Sequence, residues 1–349
     1  MKEDLEKVIE PLLNWYEKNK RILPWRKNKN PYSIWISEIM LQQTRIEAVK
    51  EYYKRFMKEI PSIQVLANID EEKLLKLWEG LGYYNRARNL QKAAKLIEKE
   101  YQGKMPDSYK ELITLPGIGE YTAGAIASIA YDEPVTAIDG NVLRVISRLV
   151  ASTKDVLLPE TKKDIQSKIE KIIPKKNAGN FNEALMELGE LVCLPNGEPE
   201  CQRCPLKQYC KAYKENLTDK IPVREKKLKR KKEEKTVFIL ISSSGKIAIK
   251  KREQNGVLKG MYELPNVINK WRETKVEEVL KEKWNIQSIQ QIEFLGEYKH
   301  IFTHIEWHMY GYEVKVRTED EKSFLWVSKE ELETVYAMPT AFKQFIRKV

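Results

Sequence analysis

The apolar residues of this chain change their spacing after residue 215, and this change constrains the fold more than any other feature. Before it, apolar residues recur three and four positions apart, as around Leu74–Trp78, Leu90–Ile97 and Val142–Val150. That spacing puts them on one face of a helix. Strand-like alternation is scarce in this part, so we expect a first domain, residues 1–222, that is mainly α-helical.

The spacing beyond residue 235 is typical of strands instead. Strand-like segments and one helical stripe occur in the order Val237–Ile241, Ile247–Lys250, Val276–Leu280, Glu293–Tyr298 and Ile305–Val316. The four residues Ser243-Ser244-Gly245-Lys246 separate the first two segments and predict a hairpin turn. Since 349 residues suffice for two separate cores, we expect a second, α+β domain over residues 236–349.

A basic run separates the two predicted domains. Eight of the twelve residues 224–235 are Lys or Arg, and we assign residues 223–235 to a linker. The run is typical either of an arm that contacts phosphates or of a solvated segment without a ligand, and both interpretations stay open. The net charge of +11 and the pI near 9.1 favour a polyanionic partner, first nucleic acid and second an anionic membrane surface.

The sequence predicts neither a membrane span nor a signal peptide. No stretch approaches the roughly 18 consecutive apolar residues that a membrane-spanning helix needs. The first residues, Met1-Lys2-Glu3-Asp4-Leu5, are charged and lack an apolar signal-peptide core. We therefore expect a cytoplasmic protein, associated with the nucleoid if its source is bacterial.

All four cysteines lie in one short segment. Cys193, Cys201, Cys204 and Cys210 follow the spacing C-x7-C-x2-C-x5-C. A disulfide framework normally scatters its cysteines, whereas short loops bring four thiolates around one metal centre at little entropic cost. The spacing alone is compatible with zinc, with a 4Fe-4S cluster, and with unligated buried thiols.

A glycine-containing turn joins two predicted helical segments, residues 107–114 and 121–130. The turn is Leu115-Pro-Gly-Ile-Gly119, with glycines at Gly117 and Gly119. Glycines allow backbone N–H groups to approach an anion, and the following helix adds its positive end. This arrangement is typical of a helix-hairpin-helix that grips a DNA phosphate without reading sequence.

Two carboxylates stand out as candidates for chemistry. Asp139 precedes an amphipathic stripe, so it is either a helix N-cap or a site carboxylate. Glu38 follows the helix start Asn30-Pro31 in a segment that is apolar nearly all round. Burial would favour the protonated form of Glu38, which suits a general acid. The alternative is a structural ion pair with an arginine such as Arg45.

These motifs together resemble one family. The hairpin, the Asp139 that follows Gly119 by twenty residues, and the four cysteines resemble the helix-hairpin-helix DNA glycosylases of the endonuclease III type. The adenine-removing branch of that family, the MutY type, is matched more specifically, and the match covers residues 10–222. The segments that carry this closer match are Pro24–Arg26, Trp35–Arg45, Trp78–Tyr84 and Ala137–Arg144.

The resemblance implies a six-helix barrel that contains the hairpin at about 107–130, and a lobe that includes residues 193–210 and holds one 4Fe-4S cluster. The first cysteine gap is seven residues here, where the family usually has six, and the turn-rich loop 194–200 would absorb the insertion. Lyase-competent relatives carry a lysine where this chain has Tyr121. A phenol cannot form the Schiff base, so we expect hydrolysis without strand cleavage.

The C-terminal part resembles the Nudix-like recognition domain of the same family. Gly256–Pro265 is similar to the start of a Nudix core, but the acidic metal-binding run does not follow it. We therefore expect lesion recognition rather than pyrophosphate hydrolysis. Phe302-Thr303-His304 falls where the family places a Phe-Ser-His loop that detects 8-oxoguanine. The three histidines, His300, His304 and His308, are spaced by four, which leaves a zinc site as an alternative.

The implied activity is removal of adenine mispaired with 8-oxoguanine or G from duplex DNA, by a monomer that does not bind membranes. The implied site residues are Glu38, Asp139 and Tyr121 for catalysis; Trp25, Arg26, Leu41 and Glu183 for adenine; Gln43, Thr44, Leu81, Tyr83, Gly117, Gly119, Phe302, Thr303 and His304 for DNA and the lesion; and Cys193, Cys201, Cys204 and Cys210 for the cluster. Alternatives are a thymine glycosylase acting at T:G mismatches and a non-catalytic iron–sulfur DNA-binding protein.

Overall fold

A computed structural model describes residues 5–225, 230–253, 257–319 and 323–349. Residues 226–229 of the predicted linker and Gly256 of the predicted Nudix start lie outside these ranges. The chain forms two compact units. The first contains Met1–Asn68 and Asn89–Lys226, and the second contains Ile69–Arg88 and Lys227–Val349. The predicted helical domain, residues 1–222, thus contributes residues 69–88 to the second unit.

The first unit is helical, as the apolar spacing predicts. The helices up to residue 214 are α1 Ile9–Asn19, α2 Pro31–Leu41, α3 Ile46–Glu59, α4 Ile63–Asn68, α5 Glu71–Leu77, α6 Asn85–Tyr101, α7 Tyr109–Leu112, α8 Glu120–Tyr131, α9 Gly140–Leu149, α10 Pro159–Glu170, α11 Ala178–Leu191 and α12 Lys211–Lys214. Helix α5 and the start of α6, up to Arg88, belong to the second unit. Short 3₁₀ turns occur at Pro24–Arg26, Cys201–Arg203 and Lys207–Tyr209.

Helix α2 begins where the sequence predicts. The Asn30 side chain accepts a hydrogen bond from the Ser33 N–H at 3.1 Å, and Pro31 occupies the first helical position. The helix ends before Gln43, whose φ of 60° is left-handed. All side chains from Tyr32 to Met40 are buried, and α2 packs against α8. A polar group on this helix is therefore held in apolar surroundings.

One core of the first unit joins α1, α9, α10 and α11. Its fully buried members include Leu12, Val142, Ile165 and Phe181, each about 1% exposed or less. The cysteine segment packs against this core through Leu206. The helices that deliver Asp139 and Cys193 are thus fixed by the same apolar contacts.

The second unit is built around a mixed sheet. Its strands are β1 Lys231–Ser242, β2 Ile247–Lys251, β3 Tyr262–Glu263, β4 Asn266–Ile268, β5 Ile289–Ile301, β6 Ile305–Val316 and β7 Leu325–Val327. The strand order is β3-β2-β1-β6-β5, with β4 on β1 and β7 on β2. Strands β1 and β6 are parallel, whereas β5 and β6 form an antiparallel hairpin. The predicted α+β class is confirmed.

Both faces of the sheet are buried. On β1, Val237 and Ile239 enter one core and Phe238 and Leu240 enter the other, because successive side chains point to opposite faces. Helix α13, Glu273–Trp284, covers the face of Phe238. Helix α15, Thr340–Ile346, covers the opposite face, and α14, Lys329–Thr334, precedes it.

Strand β1 begins at Lys231, inside the segment predicted as a linker. The strand extends this far because its backbone pairs with β6 from Lys231 opposite Ile305 onward. Lys235 is buried, and its ammonium lies 4.7 Å from the centre of the Trp307 ring. The charged residues from Lys231 to Lys235 therefore belong to a hydrogen-bonded strand rather than to a linker. Among the described residues, no helix is long and apolar enough to cross a membrane.

Candidate active site

Glu38 is a buried carboxyl in the middle of α2. It is 7% exposed, and its Oε2 accepts a hydrogen bond from the Tyr121 hydroxyl on α8. Desolvation raises the pKa of Glu38 to about 7, against the hydrogen bond from Tyr121, which lowers it. Arg45, the alternative partner considered from the sequence, is exposed at the start of α3. A carboxyl with this pKa is partly protonated at neutral pH.

Asp139 caps α9 and also lies in the electrostatic field of Glu38. Its side chain accepts hydrogen bonds of 2.7 Å from the Val142 N–H and from Asn141 Nδ2. Burial raises the pKa of Asp139 in spite of these bonds, which lower it. The charge of Asp139 contributes to the raised pKa of Glu38 and of Tyr121. Asp139 is therefore the N-cap of α9, and it lies close enough to Glu38 for its charge to affect that carboxyl.

A cavity opens beside Glu38 in the first unit. Its empty space, which includes the open solvent at its mouth, is about 860 Å³. Trp25, Arg26 and Glu183 line the cavity together with Glu38. The Arg26 Nε lies 2.8 Å from Glu183 Oε1. Leu41 is the half-buried last residue of α2. The structure thus brings three of the four residues predicted to contact adenine to the wall of one cavity.

Three residues near the cavity, Tyr16, Arg21 and Glu187, were missed from the sequence. Glu187, whose side chain is 1% exposed, accepts hydrogen bonds from Arg21 and Arg26. Tyr16 is buried and hydrogen-bonds to Glu183. One sequence feature could have indicated Glu187: it follows Glu183 by four residues on the same helix, so both carboxylates share a face.

The predicted lesion-strand residues Gln43 and Thr44 form the turn after α2. Gln43 is exposed with a left-handed φ of 60°, and the Thr44 N–H bonds to the Leu41 carbonyl at 3.2 Å. An exposed turn of this kind presents side chains to a partner.

The second unit brings Tyr83 to the predicted lesion loop. Phe302, Thr303 and His304 form the turn between β5 and β6. The Tyr83 hydroxyl lies 3.1 Å from the Thr303 Oγ1, although the two residues are 220 positions apart. Tyr83 is 49% exposed with a left-handed φ of 48°.

The neighbours of these two residues are ordered by packing. Leu81 is buried, and the Trp78 indole N–H donates to the Gly82 carbonyl at 3.2 Å. Phe302 packs edge-on against Trp307 with ring centres 4.7 Å apart, while His304 is exposed. The residues next to Tyr83 and to the exposed loop residues are thus held by packing and hydrogen bonds.

The hairpin glycines have different environments. Gly117 has φ +77°, and a Cβ there would lie 2.5 Å from the Asn89 Cβ, so only glycine fits. Gly119 is the N-cap of α8, and a Cβ at this position would have no other atom within 4 Å. The flanking helices are α7 and α8, close to the predicted segments, and the first N–H groups of α8 have no partner within their helix.

The four cysteines line one cavity. Its empty space, which includes open solvent, is about 310 Å³, and Arg148 on its wall donates to the Cys193 sulfur at 3.3 Å. Burial raises the pKa of Cys204 to about 12 and also raises that of Cys201 and Cys210. Within the described ranges, no three His, Cys, Asp or Glu side chains are grouped so as to hold a metal ion, and this includes the three histidines of the second unit.

Comparison with known families divides the chain in a similar way. Residues 36–175 match the model of the HhH-GPD superfamily of base excision DNA repair proteins. Residues 236–348 match the NUDIX domain model.

Curated relatives extend over most of the chain. A protein named adenine DNA glycosylase from Buchnera aphidicola subsp. Schizaphis graminum is 38% identical over 299 residues, which cover 85% of this chain and 84% of the relative. The Homo sapiens adenine DNA glycosylase is 32% identical, over 96% of this chain and 72% of the human protein.

Solved structures resemble the helical part. A thermostable thymine-DNA glycosylase has a TM-score of 0.55 at 28% identity and covers 60% of this chain and 97% of its own. An endonuclease III in a non-covalent complex with DNA has a TM-score of 0.53 at 25% identity, over 62% of this chain and 98% of its own. The predicted helix-hairpin-helix glycosylase fold with a Nudix-like domain is confirmed.

Proposed function

The chain belongs to the adenine DNA glycosylase family, and on this basis we propose that it hydrolyses the N-glycosidic bond of adenine mispaired with 8-oxoguanine or G in duplex DNA. The observation that carries the proposal is Glu38, a buried carboxyl with a pKa of about 7 on the wall of a solvent-open cavity that Trp25 and Arg26 also line. The cost of everting a base is lowest at a mispair, which favours a mispaired substrate.

Glu38 acts as the general acid in this proposal. Its raised pKa keeps a proton available near neutral pH for N7 of the everted adenine. Protonation makes adenine a neutral leaving group, so the C–N bond breaks and the electron pair stays on the base. Tyr121 holds the Glu38 carboxyl through its hydrogen bond.

Asp139 stabilises the sugar in this proposal. Cleavage leaves an oxocarbenium-like sugar, and a carboxylate beside it supplies compensating negative charge or a transient covalent bond before water completes hydrolysis. The hydrogen bonds from Val142 and Asn141 favour the charged form of Asp139 against its burial. One acid held neutral and one held anionic is the arrangement of glycoside hydrolysis.

The remaining residues bind and orient the substrate. Trp25, Arg26 and Glu183 would contact adenine from the cavity wall, and Leu41 would complete its pocket. Tyr83 would enter the base stack beside the lesion, and Gln43, Thr44 and Leu81 would each contact the lesion-bearing strand. The hairpin N–H groups after Gly117 and Gly119 would bind a phosphate. Phe302, Thr303 and His304 would contact the base opposite adenine.

We propose that the cysteine cavity holds an iron–sulfur cluster. Four thiols that line one cavity supply the ligand set of a 4Fe-4S cluster, the cofactor that the family resemblance implies. Cys193, Cys201, Cys204 and Cys210 would hold the cluster. When bound, it would crosslink the loop after α11 and fix the lobe against the core.

A duplex panel tests the proposed function. The purified protein is incubated with duplexes carrying A opposite 8-oxoguanine, A opposite G, or T opposite G, and half of each sample is then treated with alkali. We expect alkali-dependent strand scission at A in the first two duplexes. Scission at T, or scission of any duplex without alkali, would contradict adenine specificity or the absence of lyase chemistry.

A further inference from the structure

Residues 69–88 contact the C-terminal part of the chain through two oppositely charged side chains. The Lys76 ammonium donates to the backbone carbonyls of Leu332 at 3.2 Å and of Tyr336 at 3.0 Å. Glu79 accepts from the Met338 N–H at 2.8 Å and pairs with Lys343 at 3.2 Å. Both side chains thus bond to the stretch of chain from α14 to α15.

The side chains that make these contacts are largely shielded from solvent. The side chains of Lys76 and Glu79 are 16% and 11% exposed, and they pair with each other at 3.0 Å. Charged hydrogen bonds of this kind are among the stronger polar contacts, and removing one partner leaves the other unpaired. Glu72 adds a peripheral contact, because it accepts from Lys251 at 2.8 Å and from the Tyr262 hydroxyl at 3.0 Å.

The same segment, residues 69–88, contains Tyr83. Tyr83 follows Glu79 by four positions, and its hydroxyl lies 3.1 Å from Thr303. The Tyr83–Thr303 contact alone is exposed and involves two neutral hydroxyls, so it is too weak to fix the segment. The charged contacts of Lys76 and Glu79 provide the firmer attachment.

We propose that Lys76 and Glu79 are positioning residues that hold Tyr83 in register with the Phe302–His304 turn, so that the base opposite adenine is sensed by both together. The inference rests on the proposed function, since it assigns both elements to the lesion-bearing strand. Loss of the attachment disconnects Tyr83 from the turn. It leaves the cavity of Glu38, which is built entirely from the first unit, unchanged.

The test compares two duplexes in the full-length protein. Single-turnover rate constants are measured for A opposite 8-oxoguanine and for A opposite G, and their ratio is the readout. We expect Lys76→Met and Glu79→Ala each to lower the ratio about fivefold or more, the lower end of typical coupling between sites, with the A:G rate within about twofold of wild type. Lys76→Arg, which keeps the charge and the donors, should retain the wild-type ratio.

Lys73→Met is the matched control, because Lys73 is an exposed lysine on the same helix. It should behave as wild type. An unchanged ratio in both test variants, an equal fall in the control, or a parallel loss of A:G activity through misfolding would overturn the inference. A wild-type protein that releases adenine from neither duplex would instead refute the proposed function, so the two failures are distinguishable.

Discussion

The Tyr121 hydroxyl donates a hydrogen bond to Glu38, and this bond joins α8 to α2 across 83 residues of sequence. It ties a residue just after the hairpin glycines to the buried carboxyl. The bond lowers the pKa of Glu38, whereas desolvation, which is the larger effect, raises it to about 7. The hairpin that is proposed to bind DNA and the acid that is proposed to protonate adenine are therefore directly connected.

Catalysis should depend on pH through Glu38. The acid is active when protonated, so the single-turnover rate should be constant below its pKa and fall about tenfold per pH unit above it. With a pKa of about 7 the fall should begin near neutral pH. The rate is measured on the A:G duplex from about pH 5.5 to about pH 9, at constant ionic strength. A rate that rises with pH across this range would mean that the essential carboxyl acts as a base.

Tyr121→Phe should shift the fall in the single-turnover rate to higher pH. The substitution removes the hydrogen bond that lowers the pKa of Glu38, so its proton is retained further into the alkaline range. We also expect a lower plateau rate, because the carboxyl loses its orienting partner. Tyr131→Phe is the matched control, since Tyr131 lies on the same helix and its hydroxyl donates to the Met105 carbonyl. If the rate of Tyr121→Phe falls at the same pH as that of the wild type, the hydrogen bond from Tyr121 does not lower the pKa of Glu38.

Glu187→Gln should destabilise the first unit. The carboxylate is 1% exposed and pairs with Arg21 and Arg26, so its replacement leaves Arg21 with an uncharged partner and Arg26 with Glu183 alone. Breaking a buried ion pair costs about 3–5 kcal/mol, and the neutral amide should retain part of this. The free energy of unfolding is measured in urea, with the exposed Glu10→Gln as control. Equal stability of both variants would show that the pair contributes little.

The stability that Glu187 provides should be lost in acid. Burial raises its pKa, but the hydrogen bonds from Arg21 and the attraction of Arg26 outweigh burial and lower it. A carboxyl whose folded pKa is depressed stabilises the protein above the unfolded pKa and loses this effect as pH falls through the folded value. The difference in unfolding free energy between wild type and Glu187→Gln should therefore shrink below about pH 4.5.

The two hairpin glycines should respond differently to alanine. Gly117→Ala forces a Cβ against Asn89 at a left-handed φ and should lower both the melting temperature and DNA affinity. Gly119→Ala meets no neighbouring atom, so it should preserve the melting temperature. Its methyl group would still obstruct a phosphate at the start of α8, and DNA affinity should fall. Unchanged DNA binding in both variants would remove the hairpin from the DNA-binding surface.

The cysteines should bind iron and sulfide as a set. Cys204→Ser removes the thiol whose pKa burial raises to about 12, and a serine oxygen is a poor ligand for a cluster. We expect the purified variant to contain less iron and acid-labile sulfide than wild type and to melt at a lower temperature. Zinc in place of iron in the wild-type protein, found by elemental analysis, would contradict the cluster.

Local patterns predicted the elements of this fold well. The start of α2 at Pro31, the hairpin around Gly245 and the stripe of α13 depend on neighbouring residues, and the structure has all three. The placement of residues 69–88 could not be predicted in this way, because apolar spacing shows that a helix forms and not which core it packs on. That placement depends on long-range bonds such as those of Lys76 and Glu79.

The geometry of the candidate site could also be predicted only in part, because it depends on long-range contacts as well as on local patterns. The apolar surroundings of Glu38 predicted its raised pKa, and the carboxylates of Glu38 and Asp139 do interact. The sequence did not reveal the network of Tyr16, Arg21 and Glu187, since those side chains meet only when α1 and α11 pack together. The start of β1 at Lys231 was hidden by its charges, which suggested a linker although the backbone pairs with β6.

The sharpest test of Glu38 as the acid is adenine release by Glu38→Gln under single-turnover conditions, alongside the affinity of this variant for an uncleaved A:8-oxoguanine duplex. The amide keeps the shape of the side chain, but its N–H protons are not acidic enough to be transferred to the base. We predict a rate at least about a hundredfold below wild type, with DNA affinity within a few-fold. Wild-type turnover in this variant would show that another group protonates adenine.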